Sequence, residues 1–242
     1  MPHAPTKDWS RFARSLALAR RSLRLALTLS VCAAAIERLQ AQPPRSAALS
    51  VGSVDTLWSP TLRERRPYLL YTPPSYHLPT RVPRAYPVLY LIDGDVHFHW
   101  VTGIIEMLAT GVGGTYAIPE MIVVGLPVAN RRRDLTPTRI DRDPYGRPLP
   151  PGWEITGGNP DFLRFIRNEL IPHVDSAFRT APYRVLLGHS LGGLAVLNAL
   201  YTTPATFNAY VAIDPTLWMD DRLMVRRARD VFGTPAPTAR TL

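Results

Sequence analysis

The sequence predicts an α/β fold built on a mostly parallel, doubly wound sheet. Three observations predict it. Two runs, Tyr86 to Ile92 and Met121 to Leu126, are almost unbroken in apolar residues, as strands buried on both faces require. These runs alternate with segments of helical periodicity, the arrangement of parallel strands joined by crossovers. A glycine-rich turn, Gly188 to Gly193, joins a short apolar strand directly to an Ala- and Leu-rich helix.

At 242 residues, with 46% hydrophobic and 19% charged residues, the chain is sized for one globular domain. Residues 1–41 are expected to be a leader. A basic region ends at Arg24, and Leu25 to Ala35 is apolar but too short for the roughly 20 residues that span a bilayer. Arg20-Arg21-Ser22-Leu23 loosely resembles a twin-arginine signal. Cys32, the only cysteine, stands where a lipoprotein attachment site would, although bulky Val31 precedes it; an incidental signal-peptide cysteine is the plainer account. Export to a periplasm or the extracellular space follows as the expectation, with no stable membrane span. Residues 42–50, rich in Pro, Ser and Ala, are expected to be a linker, and 51–242 the folded domain.

Within that domain, Val51 to Leu57 and Arg65 to Tyr71 are expected strands, the second closed by Pro73-Pro74. The buried strand Tyr86–Ile92 ends at Asp93-Gly94, and a helix is expected over His99 to Ala109. After the strand Met121–Leu126, the stretch from Asn130 to Gly158 is polar and rich in Arg, Pro and Gly, an irregular excursion of the kind that walls pockets. Helical spacing of Phe162, Phe165, Ile166 and Leu170 marks a helix from Pro160 to Val174. A strand at Arg184–Leu187, a helix at Leu191–Tyr201 and a strand at Tyr210–Ile213 complete the series.

The net charge of +9 raises the question of a nucleic-acid partner. Six basic residues against Asp8 put five of those nine charges in the first 24 residues. No basic stripe with interleaved aromatics follows, only Arg131-Arg132-Arg133 and Arg226, Arg227 and Arg229, so no nucleic-acid partner is expected.

Chemistry is concentrated in Gly188-His189-Ser190-Leu191-Gly192-Gly193, a G-x-S-x-G pattern between a strand and a helix. A turn this tight strains the backbone of its central residue and leaves no room for side chains two positions away, which glycine at 188 and 192 removes. It lifts the hydroxyl of Ser190 above the sheet at a helix N-terminus. There the helix dipole and the free N–H of Leu191 can stabilise an oxyanion. A second donor is expected from the loop after an earlier buried strand, where Gly94 would allow close approach and Asp95 N–H could point into the site. By itself, Asp93-Gly94-Asp95 is equally a strand-terminating turn.

These residues resemble the Putative esterase family of α/β-hydrolase proteins, which holds siderophore esterases of the enterobactin type, S-formylglutathione hydrolase and mycolyltransferases. The likeness runs through Tyr86 to Asp95, Ile122 to Gly125, Arg133-Asp134-Leu135-Thr136-Pro137, Gly157 to Pro172, the glycine-rich turn, Phe207 to Tyr210 and Asp214-Pro215-Thr216-Leu217-Trp218. It covers about residues 51 to 220 and is strongest toward the siderophore-esterase branch. The resemblance implies an α/β-hydrolase fold, Ser190 as nucleophile, Leu191 and Asp95 as backbone oxyanion donors, a small-molecule acyl ester as substrate, and neither metal nor organic cofactor. Asp214 departs from the branch, which usually has a serine before the Pro-x-Leu-Trp turn.

A serine nucleophile needs a base and an acid to orient it, in the chain order Ser, Asp or Glu, His. All six histidines precede Ser190: His3, His77, His97, His99, His173 and His189. Asp214, Asp220, Asp221 and Asp230 follow it, but the tail from Val231 to Leu242 does not look like the strand after which the family's acid stands. The expectation is a chain truncated before its last strands, an ester hydrolase by descent. The alternative is a non-catalytic remnant or binding module. An acyltransferase using the same serine differs only in pocket detail. Composition is silent on oligomeric state.

Overall fold

The structure is a computed structural model that describes residues 49–233 apart from residues 80–82, 112, 113, 115, 144 and 154. The expected leader, most of the linker and the last nine residues lie outside the described residues. Strands β1 (Ser53–Ser59), β2 (Glu64–Tyr71), β3 (Tyr86–Ile92), β4 (Ile122–Leu126), β5 (Thr180–His189) and β6 (Ala209–Ile213) form one sheet in the order β1-β2-β4-β3-β5-β6. The pairs β3–β4, β3–β5 and β5–β6 are parallel; β1–β2 and β2–β4 are antiparallel. The doubly wound, mostly parallel α/β sheet is therefore present.

The apolar run of β3 explains its central place. Val88, Tyr90 and Ile92 point into a core shared with helices α3 (Asn159–Phe165), α4 (Ile171–Ala177) and α5 (Leu191–Thr202). Leu89 and Leu91 point the other way and pack with Phe98 and Val101 of helix α1 (Gly94–Ala109). A strand covered on both faces has no use for polar residues, hence the loss of alternation. Glycine lets α1 lie close: a Cβ on Gly94 would fall 2.6 Å from the Gly125 carbonyl carbon and the Leu126 nitrogen of β4.

Several elements depart from expectation; β5, for one, runs from Thr180 to His189 where the sequence marks only Arg184–Leu187. Helix α1 begins at Gly94 rather than His99, because Asp93 turns the chain into it through left-handed backbone angles (φ 57°, ψ 44°). The excursion after β4 contains a short helix, α2 (Arg131–Leu135), whose N-terminus is capped by the Asn130 side chain accepting from Arg133 N–H at 3.0 Å. The helix expected over 160–174 runs through a π segment, Ile166–Leu170, where Ile171 N–H donates to the Ile166 carbonyl. Pro172 follows at once; its missing N–H leaves a gap in the α-helical ladder where that wider turn is accommodated. The last helix, α6 (Met219–Phe232), carries left-handed angles at Asp220, Asp221 and Arg222. Among the described residues no helix is long and apolar enough to cross a membrane.

Candidate active site

The C-terminal ends of β3, β5 and β6 lie side by side, and each is followed by a non-glycine residue with positive φ. These are Asp93 (57°), Ser190 (56°) and Asp214 (41°). Such angles cost on the order of 1–3 kcal/mol each and persist only where surrounding structure enforces them. Ligands of open α/β sheets bind at that edge of the strands, so the strain collects where a site is expected.

Ser190 sits between β5 and α5 at φ 56°, ψ −116°, and is half-buried. The turn leaves no room for a side chain at Gly188 and little at Gly192. A Cβ on Gly188 would overlap the carbonyl of Gly192 and lie 3.0 Å from its Cα. One on Gly192 would lie 3.2 Å from both Ile92 Cγ2 and Asp93 Oδ2. Gly193 is held against Pro215 Cα and the Ile213 carbonyl, at 3.0 and 3.1 Å from a Cβ placed there. The backbone of Ser190 is fixed from the β6 side: its N–H donates to the Ile213 carbonyl at 3.0 Å, and its carbonyl accepts from Thr216 N–H at 3.2 Å. The first intrahelical bond of α5 is Leu194 N–H to the Ser190 carbonyl, at 3.0 Å. Leu191, Gly192 and Gly193 therefore bring N–H groups without an intrahelical acceptor to the serine.

Asp95 occupies the second position of α1 and is exposed. The Asp93 carbonyl accepts from Val96 and His97 N–H at 3.0 and 3.1 Å, so the amides of Gly94 and Asp95 precede the helical ladder. Two helix N-termini, those of α1 and α5, thus stand at the ends of neighbouring strands. A Cβ built on Gly192 would come within 3.2 Å of Asp93 Oδ2, so the first turn of α5 lies close to the residue that precedes α1.

The hydroxyl of Ser190 has one hydrogen-bond neighbour among the described residues, Thr216 Oγ1 at 3.4 Å. No imidazole is bonded to it there. His97 and His189 face each other edge-on with ring centroids 5.7 Å apart, and Trp100 Nε1 donates to His97 Nδ1 at 3.2 Å. His173 packs against Tyr68, with Nε2 3.0 Å from its hydroxyl. Burial and the neighbouring Asp55 carboxylate push the Tyr68 phenol up to about 12. Asp220 accepts from the Thr138 hydroxyl. Among the described residues no group of three or more His, Cys, Asp or Glu is placed to hold a metal ion.

Two contacts at this edge of the sheet escaped the sequence. Thr216 was visible only as part of a turn motif, and nothing in its spacing said that its hydroxyl meets Ser190. Arg131 binds Asp93 through Nε at 2.8 Å and Nη2 at 3.0 Å, a pairing 38 residues apart in the chain. Arg133 instead belongs to a network under α2 with Glu64 and Asp134.

Residues 59–229 match the family described as Putative esterase. The chain is 31% identical over 191 residues to ferri-bacillibactin esterase BesA of Bacillus subtilis, covering 75% of this chain and 65% of that protein. It is 34% identical over 161 residues to the siderophore enterobactin esterase of Emericella nidulans, covering 58% of this chain and 50% of that one. Among solved structures it is similar to an IroE-like serine hydrolase from Shewanella oneidensis, at 37% identity and a TM-score of 0.68 over 74% of this chain and 56% of that one. The chain thus spans between half and 65% of the two named relatives' length. With the match running from the end of β1 into α6, this chain belongs to the Putative esterase family and carries the α/β-hydrolase fold.

Proposed function

We propose that the chain carries the nucleophile of a serine ester hydrolase, and that Ser190 forms the acyl-enzyme. One observation carries this: Ser190 occupies a left-handed strand-to-helix turn, with the N-terminus of α5 beside it and that of α1 at the end of the neighbouring strand β3. Attack of Ser190 Oγ on an ester carbonyl places negative charge on the carbonyl oxygen. The N–H groups of Leu191 and Asp95 are the proposed donors to that oxygen, reinforced by two helix dipoles. Collapse expels the alcohol, and water then releases the acid from Ser190. Serine acyl transfer of this kind needs neither metal nor organic cofactor.

The serine proton needs an imidazole acceptor. Among the described residues none is hydrogen-bonded to Oγ, so turnover requires a histidine of the chain that moves to Oγ or one from another source. Reading the coding DNA past codon 242 in all frames for a strand, an Asp or Glu and then a His tests for that source.

The substrate proposed is a small-molecule acyl ester of the siderophore class, because relatives are named for bacillibactin and enterobactin esters. Export is proposed with it, on the basic and apolar leader sequence. The test is hydrolysis of a nitrophenyl ester and of a siderophore triester by the wild-type protein and by Ser190→Ala. Turnover that Ser190→Ala abolishes, with a single acyl adduct on Ser190 by mass spectrometry, supports the assignment. Undiminished turnover in Ser190→Ala removes it. Product analysis with an alcohol acceptor separates hydrolysis from transfer.

A further inference from the structure

Asp93 precedes helix α1 with left-handed backbone angles (φ 57°, ψ 44°), whereas an aspartate with extended angles in that position folds its carboxylate over the first turn to accept from the second or third amide. Here those amides belong to Asp95 and Val96. The Asp93 side chain makes no such bond. Its carboxylate, 2% exposed, is instead held in both oxygens by Arg131, which stands at the start of α2 on the far side of β4 in the chain. One of its oxygens, Oδ2, lies 3.2 Å from where a Cβ on Gly192, in the first turn of α5, would stand. The partial positive charge at a helix N-terminus attracts an anion. An unrestrained carboxylate there would compete with a reacting oxyanion for the same N–H groups.

We propose that Arg131 is a positioning residue that holds the Asp93 carboxylate away from the amides of α1 and so keeps the oxyanion site open. The bidentate pair fits this task, since two parallel bonds fix the carboxylate's plane as well as its place. Arg131 itself is 44% exposed, so it can be replaced without burying a new group. The inference rests on the assignment of Ser190 and Asp95 above, and it adds a cause for the openness of the site.

Two measurements on the full-length protein test it. The first is steady-state hydrolysis of a nitrophenyl ester. Arg131→Gln is expected to lower kcat by about ten- to a hundredfold with KM within about twofold, toward the effect of losing one oxyanion donor. Adding Asp93→Gly should recover at least about tenfold of that loss, because glycine accepts the left-handed angles and brings no carboxylate. A merely structural role would make the double variant worse than the single.

The second measurement is amide hydrogen exchange at Asp95 and needs no turnover. Exchange should slow in Arg131→Gln, as the freed carboxylate caps the helix, and return to the wild-type rate in the double variant. Unchanged kcat in Arg131→Gln beside an inactive Ser190→Ala overturns the inference, as does a double variant no faster than the single. If the wild-type protein shows no turnover, or Ser190→Ala stays active, the kinetic comparison bears on the nucleophile assignment instead. The exchange rate at Asp95 then decides the role of Arg131 alone, and no slowing in Arg131→Gln counts against it.

Discussion

Ser190 and Thr216 meet twice: Thr216 N–H donates to the Ser190 carbonyl at 3.2 Å, and the two hydroxyls lie 3.4 Å apart. The backbone bond holds the strained turn, while the hydroxyl contact biases where Oγ points before attack. Thr216→Val keeps the first and removes the second. A neutral hydrogen bond is worth about 0.5–1.5 kcal/mol net, so kcat should fall by about two- to tenfold with little change in melting temperature. Thr216→Ser should retain most of the activity. Equal rates for Thr216→Val and wild type would show that the hydroxyl does not orient the nucleophile.

Gly188 tolerates nothing larger. A Cβ there runs into the backbone of Gly192, which cannot swing aside as a flexible side chain would. Gly188→Ala should cost about 1–3 kcal/mol of stability by overpacking and reduce esterase activity beyond what lost folded protein explains. Gly192→Ala meets its neighbours at 3.2 Å and should cost less. Urea denaturation of both variants checks the order, and a more stable Gly188→Ala than Gly192→Ala would contradict it.

Local pattern made much of this legible. The limits of β3 read from its apolar run are those observed, and the strand-turn-helix setting of Ser190 followed from two glycines and the flanking hydrophobicity. The start of α1 was not legible, because it depends on a left-handed Asp93, an angle that sequence permits but does not demand. Nor were the Arg131–Asp93 and Thr216–Ser190 pairings. Each joins loops at the ends of different strands, and only the order of strands in the sheet brings them together.

Arg66 is 2% exposed and lies 2.9 Å from Asp134, itself 1% exposed, with its guanidinium over the Phe162 ring. Removing one member of such a pair leaves a buried charge short of a partner, although Arg133 at 2.6 Å still serves Asp134. Arg66→Met should therefore destabilise by about 3 kcal/mol. Replacing both, as Arg66→Met with Asp134→Leu, should return much of that loss, because apolar groups of similar size need no partner. Additive losses in a double-mutant cycle would contradict this coupling.

Glu64 gives the same network a pH dependence. Its carboxyl is held below the ordinary 4.5, first by the hydrogen bond from Arg133 and further by Arg66. A carboxylate with a depressed pKa in the folded state contributes fully above its unfolded value and loses that contribution as pH falls through the folded one. Glu64→Gln should thus be less stable than wild type at pH 6, and the gap should close as the pH is lowered below 4.5. Arg133→Gln should flatten the acid limb in the same direction. Denaturation midpoints measured across that range would decide, and a gap that widens toward acid would refute the assignment.

Strand β6 pairs with β5 alone among the described residues and stands last in the sheet. Val211 and Ile213 are 37% and 39% exposed on it, with Leu217 and Trp218 exposed just beyond. Apolar side chains exposed on the last strand of a sheet invite edge-to-edge pairing, which a lysine on such an edge opposes. The 242-residue chain in isolation should self-associate, and Val211→Lys should reduce that association without moving Ser190, whose N–H bonds the Ile213 carbonyl two residues away. Light scattering against concentration provides the measurement. A wild-type chain that stays monodisperse, or a Val211→Lys variant that associates as readily, would mean that this edge is not the seat of association.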